Sequence, residues 1–172
     1  LASDGIEGTD RTSDTRVAEI DEAIFDAMPL SMSINAWEGH WPLNTYARDM
    51  DRTKLSDSAQ NRLAQGEKMT QEEYQGLLVE RERIRGSYGR LANDFDMCVS
   101  LTAPGAAPKG LGWTGDPSFV VPGSLLGVPA ISLPVLTAED NMPLGLQLLG
   151  FINHDAKLFA AAAAILPLFE DQ

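Results

Sequence analysis

The chain has 172 residues, a length that suits one domain or a piece of a larger one. Its 44% hydrophobic and 22% charged residues fit a globular chain rather than a wholly disordered one. The 13 Lys and Arg stand against 25 Asp and Glu, a formal net charge of −12, which argues against nucleic-acid phosphate and anionic lipid as partners.

One cysteine, Cys98, excludes an internal disulfide framework. With only two histidines, His40 and His154, a thiolate–imidazole zinc site has almost no ligands to draw on. No apolar run reaches the roughly 18 residues of a spanning helix. The first residues lack the basic start and apolar core of a signal peptide, so a cytoplasmic location is expected. A chain opening on Leu1 rather than methionine suggests a processed product or an expressed fragment.

Residues 1–15 are polar and rich in Gly, Asp, Ser and Thr, and read as a flexible tail or linker. Residues 16–172 are expected to form the folded part, with helices over 16–92, strands and loops over 96–150 and a closing helix over 154–169. A first helix starts near Arg16, carries Val17, Ile20, Ile24, Phe25 and Met28 at helical spacing, and should end at Pro29. A second spans Ser31 to Asp49 with Ile34, Trp37 and Trp41 on one side and a break or kink at Pro42. A short helix over Ser56 to Gln65 should stop at Gly66. Thr70 and Glu73 are spaced as a capping box, each side chain serving the other's backbone N–H. The helix they open carries Tyr74, Leu77, Leu78, Ile84, Tyr88 and Leu91 and should end near Asn93.

Met97 to Leu101 reads as a buried strand leaving into a loop. Residues 106–117 are too rich in Gly and Pro for regular structure. Ser118 to Leu126 reads as a short helix capped by Asp116 or Ser118, with Pro117 near its first turn. Ala130 to Leu136 and Leu144 to Leu149 are apolar without alternation, as in strands buried on both faces. The turn at Glu139-Asp140-Asn141 makes them a hairpin. His154 to Phe169 is an Ala-rich helix with Asp155 near its positive end. Three strands with two apolar faces ask for partners that the chain does not obviously contain.

Catalytic patterns are missing. None of the four lysines follows a serine by three residues, no G-x-S-x-G elbow occurs, and no Gly-Gly pair exists for a Gly/Ser-rich oxyanion loop. The acid pairs Glu72–Glu73 and Asp94–Asp96 read as a helix cap and a helix-end turn, and Cys98 as an inert core thiol. His40 suits packing or surface, and His154 capping or exposure. The segment Trp113-Thr-Gly-Asp116-Pro-Ser-Phe119 is different. It sets an indole, a carboxylate and a phenyl ring around a bend, the elements of a small-molecule pocket. Capping by Asp116 and packing by the two rings account for it as well.

Several segments together resemble the amidase signature family of serine hydrolases. They are Asp96-Met-Cys-Val-Ser-Leu-Thr-Ala-Pro104, Gly115-Asp-Pro-Ser-Phe119, Ser124-Leu-Leu-Gly-Val-Pro-Ala-Ile-Ser-Leu-Pro134, Leu144-Gly-Leu-Gln-Leu-Leu-Gly150, Asp155-Ala-Lys-Leu-Phe159 and the Gly66 to Tyr74 helix start. The resemblance runs from about Ser56 to Phe169. It implies the C-terminal part of an α/β/α fold, a mixed β-sheet flanked by helices, with a helical N-terminal half, then strands and a closing helix. It implies no cofactor and no metal. The family's serine nucleophile, second serine, lysine and oxyanion loop belong to an N-terminal half, so no catalytic residue is carried onto this chain. Asp116, Phe119 and Trp113 match the wall of the acyl pocket and are the expected substrate-binding residues. Arg62 falls near a substrate-facing arginine of some members, with surface salt bridging the plainer reading, and Gln147 reads as structural.

The expected function is therefore a C-terminal fragment of a carboxamide-cleaving amidase, inactive alone. Its expected partners are its own missing N-terminal half, a small-molecule amide and further copies in a homo-oligomer. The alternatives are a non-catalytic binding or scaffold remnant and an A-type subunit of an amidotransferase.

Overall fold

The computed structural model describes residue 24 and residues 26–169. The tail expected over 1–15 and most of the helix expected from Arg16 lie outside them. Helix α1 runs Ala27–Asp49. Pro29 does not end a helix: it is the third residue of α1, a first-turn position whose missing N–H has no intrahelical acceptor to lose. Pro42 does not break α1 either. It lies on the exposed side, where water can serve the carbonyl left without a donor. Trp41, expected beside Ile34 and Trp37, is 62% exposed.

Helix α2 runs Asp57–Lys68 behind an N-cap in which the Ser56 hydroxyl accepts from the Ala59 N–H. Gly66 lies inside α2 rather than stopping it. The two helices cross there so closely that a β-carbon would run into the Ala36 carbonyl and His40. Helix α3, Gln71–Arg90, opens on the capping box: Glu73 N–H donates to Thr70 Oγ1 (3.2 Å) and Thr70 N–H to Glu73 Oε2 (2.7 Å). A single 3-10 turn, Leu91–Asn93, closes it where the sequence predicts the end.

Among the described residues the sheet has three strands, β1 (Cys98–Leu101), β2 (Ala130–Thr137) and β3 (Pro143–Leu149), in the order β1-β3-β2. Both pairings are antiparallel, and the hairpin is closed by a 3-10 turn at Glu139–Asn141. The register slips between Leu133 and Leu136, where Pro134 and Val135 bulge, a tolerable place for proline in an outer strand. Helix α4 is shorter than expected, Val121–Leu126, with Pro122 rather than Pro117 in its first turn and no side-chain cap. Residues 117–120 form a turn before it, in which the Pro117 carbonyl accepts from the Val120 and Val121 N–H groups. Helix α5, Asp155–Ile165, continues as a 3-10 turn through Phe169.

Register defines the two faces of the sheet. Val99, Leu148 and Ile131 share one face, and Leu148 and Leu133 pack under Leu158 and Ala162 of α5. Cys98, Leu149 and Ala130 share the other, and Leu149 joins a core with Leu30, Ile34, Ile84, Tyr88 and Leu126 of the helices. Burial on both faces, expected of all three strands, holds only for Gln147–Leu149 of the middle strand. Val99 is 54% exposed, and β2 alternates exposed and covered positions at its start. The outer strands have one neighbour each, so their side chains lack the flanking strand that burial on both sides requires.

Candidate functional site

Below Leu149 the helical face of the sheet turns polar. Ser100, Gln147 and Ser132 stand abreast on the three strands, followed by Thr102 and Gly145. Thr102 bridges to β3: its N–H donates to the Gly145 carbonyl (2.9 Å), and its Oγ1 both donates to that carbonyl (3.1 Å) and accepts from the Gly145 N–H (3.2 Å). A β-carbon on Gly145 would meet Thr102 Oγ1 at 2.6 Å and would also collide with the Ser132 hydroxyl. Glycine is what lets the two flanking hydroxyls close over the middle strand.

Two hollows meet at Thr102. One, of about 260 Å³, lies between the exit of β1, the start of β3 and the segment Trp113–Asp116. The other, of about 390 Å³, lies over Ser132 and Gln147 beside Gly123 and Ser124 at the start of α4. No lysine lines either one.

Of the three residues predicted to bind substrate, the structure brings two to the first hollow. Trp113 is on its wall and 63% exposed. Asp116 is on the same wall, and its Oδ1 accepts from the Ser118 N–H at 2.8 Å, so the carboxylate shapes the turn rather than capping α4. Phe119 is half-buried and does not line the hollow. Its carbonyl accepts from Gln147 Nε2 at 2.9 Å. Sequence reasoning did not assign Thr102, Ser132 and Gly145 to this region. Hydroxyls two residues apart at Ser100 and Thr102 were the available signal, since that spacing puts both on one face of a strand.

The other titratable residues that the sequence singles out line neither hollow. The buried His40 donates from Nδ1 to the Trp37 carbonyl one turn earlier and lies against the Trp37 and Trp41 rings. His154 is exposed, precedes α5 without a side-chain capping bond, and meets Phe151 edge-on. Arg62 is exposed and lays its stem beside Gly39 of α1. Asp96 pairs with Lys157 at 2.8 Å. Burial pushes the Cys98 thiol up, only partly offset by the Tyr88 hydroxyl, which leaves it protonated and unreactive at neutral pH. Among the described residues no group of three or more His, Cys, Asp or Glu could hold a metal ion. No helix among them is long and apolar enough to cross a membrane.

No family model matches the chain. A fatty acid amide hydrolase from Medicago truncatula is 33% identical over 135 residues, 72% of this chain and 22% of that protein. The A-type subunit of a glutamyl-tRNA(Gln) amidotransferase from Clostridium botulinum is 37% identical over 98 residues, 52% of this chain and 20% of that one. A crystal structure of an amidase superposes with a TM-score of 0.74 at 20% identity, covering 90% of this chain and 42% of its own. A bacterial aryl acylamidase of the amidase signature family superposes at 0.58 with 14% identity, covering 87% of this chain and 39% of its own. The chain thus spans about a fifth of the length of these curated relatives.

Proposed function

Because this chain belongs to the amidase signature family, we propose that it is the C-terminal part of a hydrolase cleaving carboxamide C–N bonds. The observation that carries the proposal is the meeting of two hollows on the polar half-face of the sheet, the first walled by Trp113 and Asp116 and neither lined by a lysine. Such a place can hold an amide, yet it offers no amine to activate a hydroxyl nucleophile. In this proposal the nucleophile and its base lie in an N-terminal part of the same protein, which also extends the sheet.

The contribution of this chain is to hold and orient. The Trp113 indole offers apolar surface to the acyl group, at the cost of little side-chain entropy. The Asp116 carboxylate is acceptor-only and can take an N–H of the substrate on the oxygen lone pairs the turn leaves over. Phe119 backs this wall from behind rather than touching substrate. No cofactor enters the scheme. A cytoplasmic location and a homo-oligomer complete the proposal, the second through whichever outer strand the N-terminal part leaves unpaired.

A second reading, the A-type subunit of an amidotransferase, is favoured by the 37% identity over 98 residues to such a protein. The assay that separates the two uses the protein joined to its upstream coding sequence. Hydrolysis of simple aryl or aliphatic amides supports the first reading. Ammonia transfer from glutamine with no hydrolysis of simple amides supports the second and overturns the first.

A further inference from the structure

Gln147 is the one amide in the apolar run of β3, 4% exposed, with each of its two N–H donors engaged. Nε2 lies 3.0 Å from Ser100 Oγ on β1 and 2.9 Å from the Phe119 carbonyl, 28 residues away in sequence. The orientation of the amide follows from its neighbours. A carbonyl can only accept, and the Ser100 hydroxyl spends its proton on the Leu101 carbonyl at 3.2 Å, so both positions call for the NH₂ end. A buried glutamine is costly unless its partners are fixed, and here one partner belongs to no strand. Phe119 closes the turn that Asp116 begins, and the next two residues open α4.

We propose that Gln147 is a positioning residue for the pocket wall. By holding the Phe119 carbonyl to the middle strand, it fixes the C-terminal anchor of the segment that carries Trp113 and Asp116. The assignment of that segment to a substrate site rests on the proposed function; the tether itself does not. Gln147 lies under the second hollow, but its N–H donors are spent on Ser100 and Phe119, so it acts on the wall through the backbone of residues 113–119.

The test is hydrogen exchange on the protein joined to its upstream coding sequence, with two variants of near-equal volume. Gln147→Met removes both donors and adds no charge. Gln147→Glu removes both donors at neutral pH, but regains one O–H when protonated, and burial raises the pH at which that happens. The tether predicts that at about pH 8 both variants exchange about three- to ten-fold faster than the parent over residues 118–121, while the β3 ladder keeps its protection. At about pH 5.5 the Glu variant should return toward the parent and the Met variant should not. Equal behaviour of the two variants at both pH values would overturn the proposal, as would unchanged exchange over 118–121. General unfolding of one variant would show as lost protection in α3, and the other then decides. If the complete protein failed to hydrolyse amides, the proposed function would fall while this result stood.

Discussion

Gly66 of α2 lies against the Ala36 carbonyl and His40 of α1 with no space for a β-carbon, the nearest side-chain atom being His40 Cβ. The crossing of the first two helices is set at this point, because backbone meets backbone there and neither can be repacked as a side chain can. Gly66→Ala should therefore cost about 1–3 kcal/mol by overpacking. Gly86→Ala, on the exposed side of α3 with nothing within 4 Å, should instead gain up to about 1 kcal/mol of helix propensity. Urea unfolding midpoints of the two variants should move in opposite directions.

Acid should weaken the protein partly through Glu73. The Thr70 backbone N–H, then its hydroxyl, hold the Glu73 carboxyl below the ordinary carboxylate range. The unfolded chain binds a proton there at higher pH than the folded one does. The stabilisation is thus fully present above the ordinary carboxylate range and is lost as pH falls through the lower folded value. Glu73→Gln, which keeps an acceptor for Thr70, should flatten the stability profile on the acid side. An unchanged slope between neutral and acid pH would count against the linkage.

Tyr88 joins the helices to the end of β3. Its ring is 1% exposed, and its one hydroxyl proton is shared between the Leu149 and Gly150 carbonyls, at 3.3 and 3.1 Å. Tyr88→Phe should cost about 0.5–1.5 kcal/mol, the net worth of a buried hydrogen bond, measured by chemical denaturation. Because burial keeps the neighbouring Cys98 thiol protonated, iodoacetamide should label Cys98 slowly in the folded chain and rapidly once it is unfolded.

Trp113 can be removed without harm to the fold, since it is 63% exposed. If the complete protein is the proposed hydrolase, Trp113→Ala should raise its KM for an aryl amide by about ten-fold with little change in kcat, the signature of lost uniform binding. Its thermal midpoint should stay where it was. A fall in kcat with KM unchanged would mean that the indole acts in the transition state instead.

The elements legible in the sequence were those written in local chemistry. Thr70 and Glu73 announce α3 by spacing alone, and the short acidic turn at 139–141 requires a hairpin. What misled were residues whose meaning depends on their neighbours in space. Gly66 looks like a helix stop until α1 is seen against it, and Pro29 like a terminator until the helix is found to start two residues earlier. The apolar runs of β1 and β2 suggest burial on two sides, but a strand records what it packs against in the complete protein, and only β3 has both neighbours here. That Trp113 and Asp116 line one hollow was legible from their clustering in sequence. The role of Phe119 was not, because it contributes a carbonyl, and every residue has one.

In the proposed function these 172 residues shape an amide site without the means to break the bond. The most direct test is to assay the purified chain alone, and the same chain joined to its upstream coding sequence, on aryl and aliphatic amides. The chain alone should show no turnover, and the joined protein should hydrolyse the amides. Turnover by the chain alone, surviving repurification and lost in no contaminant control, would contradict it.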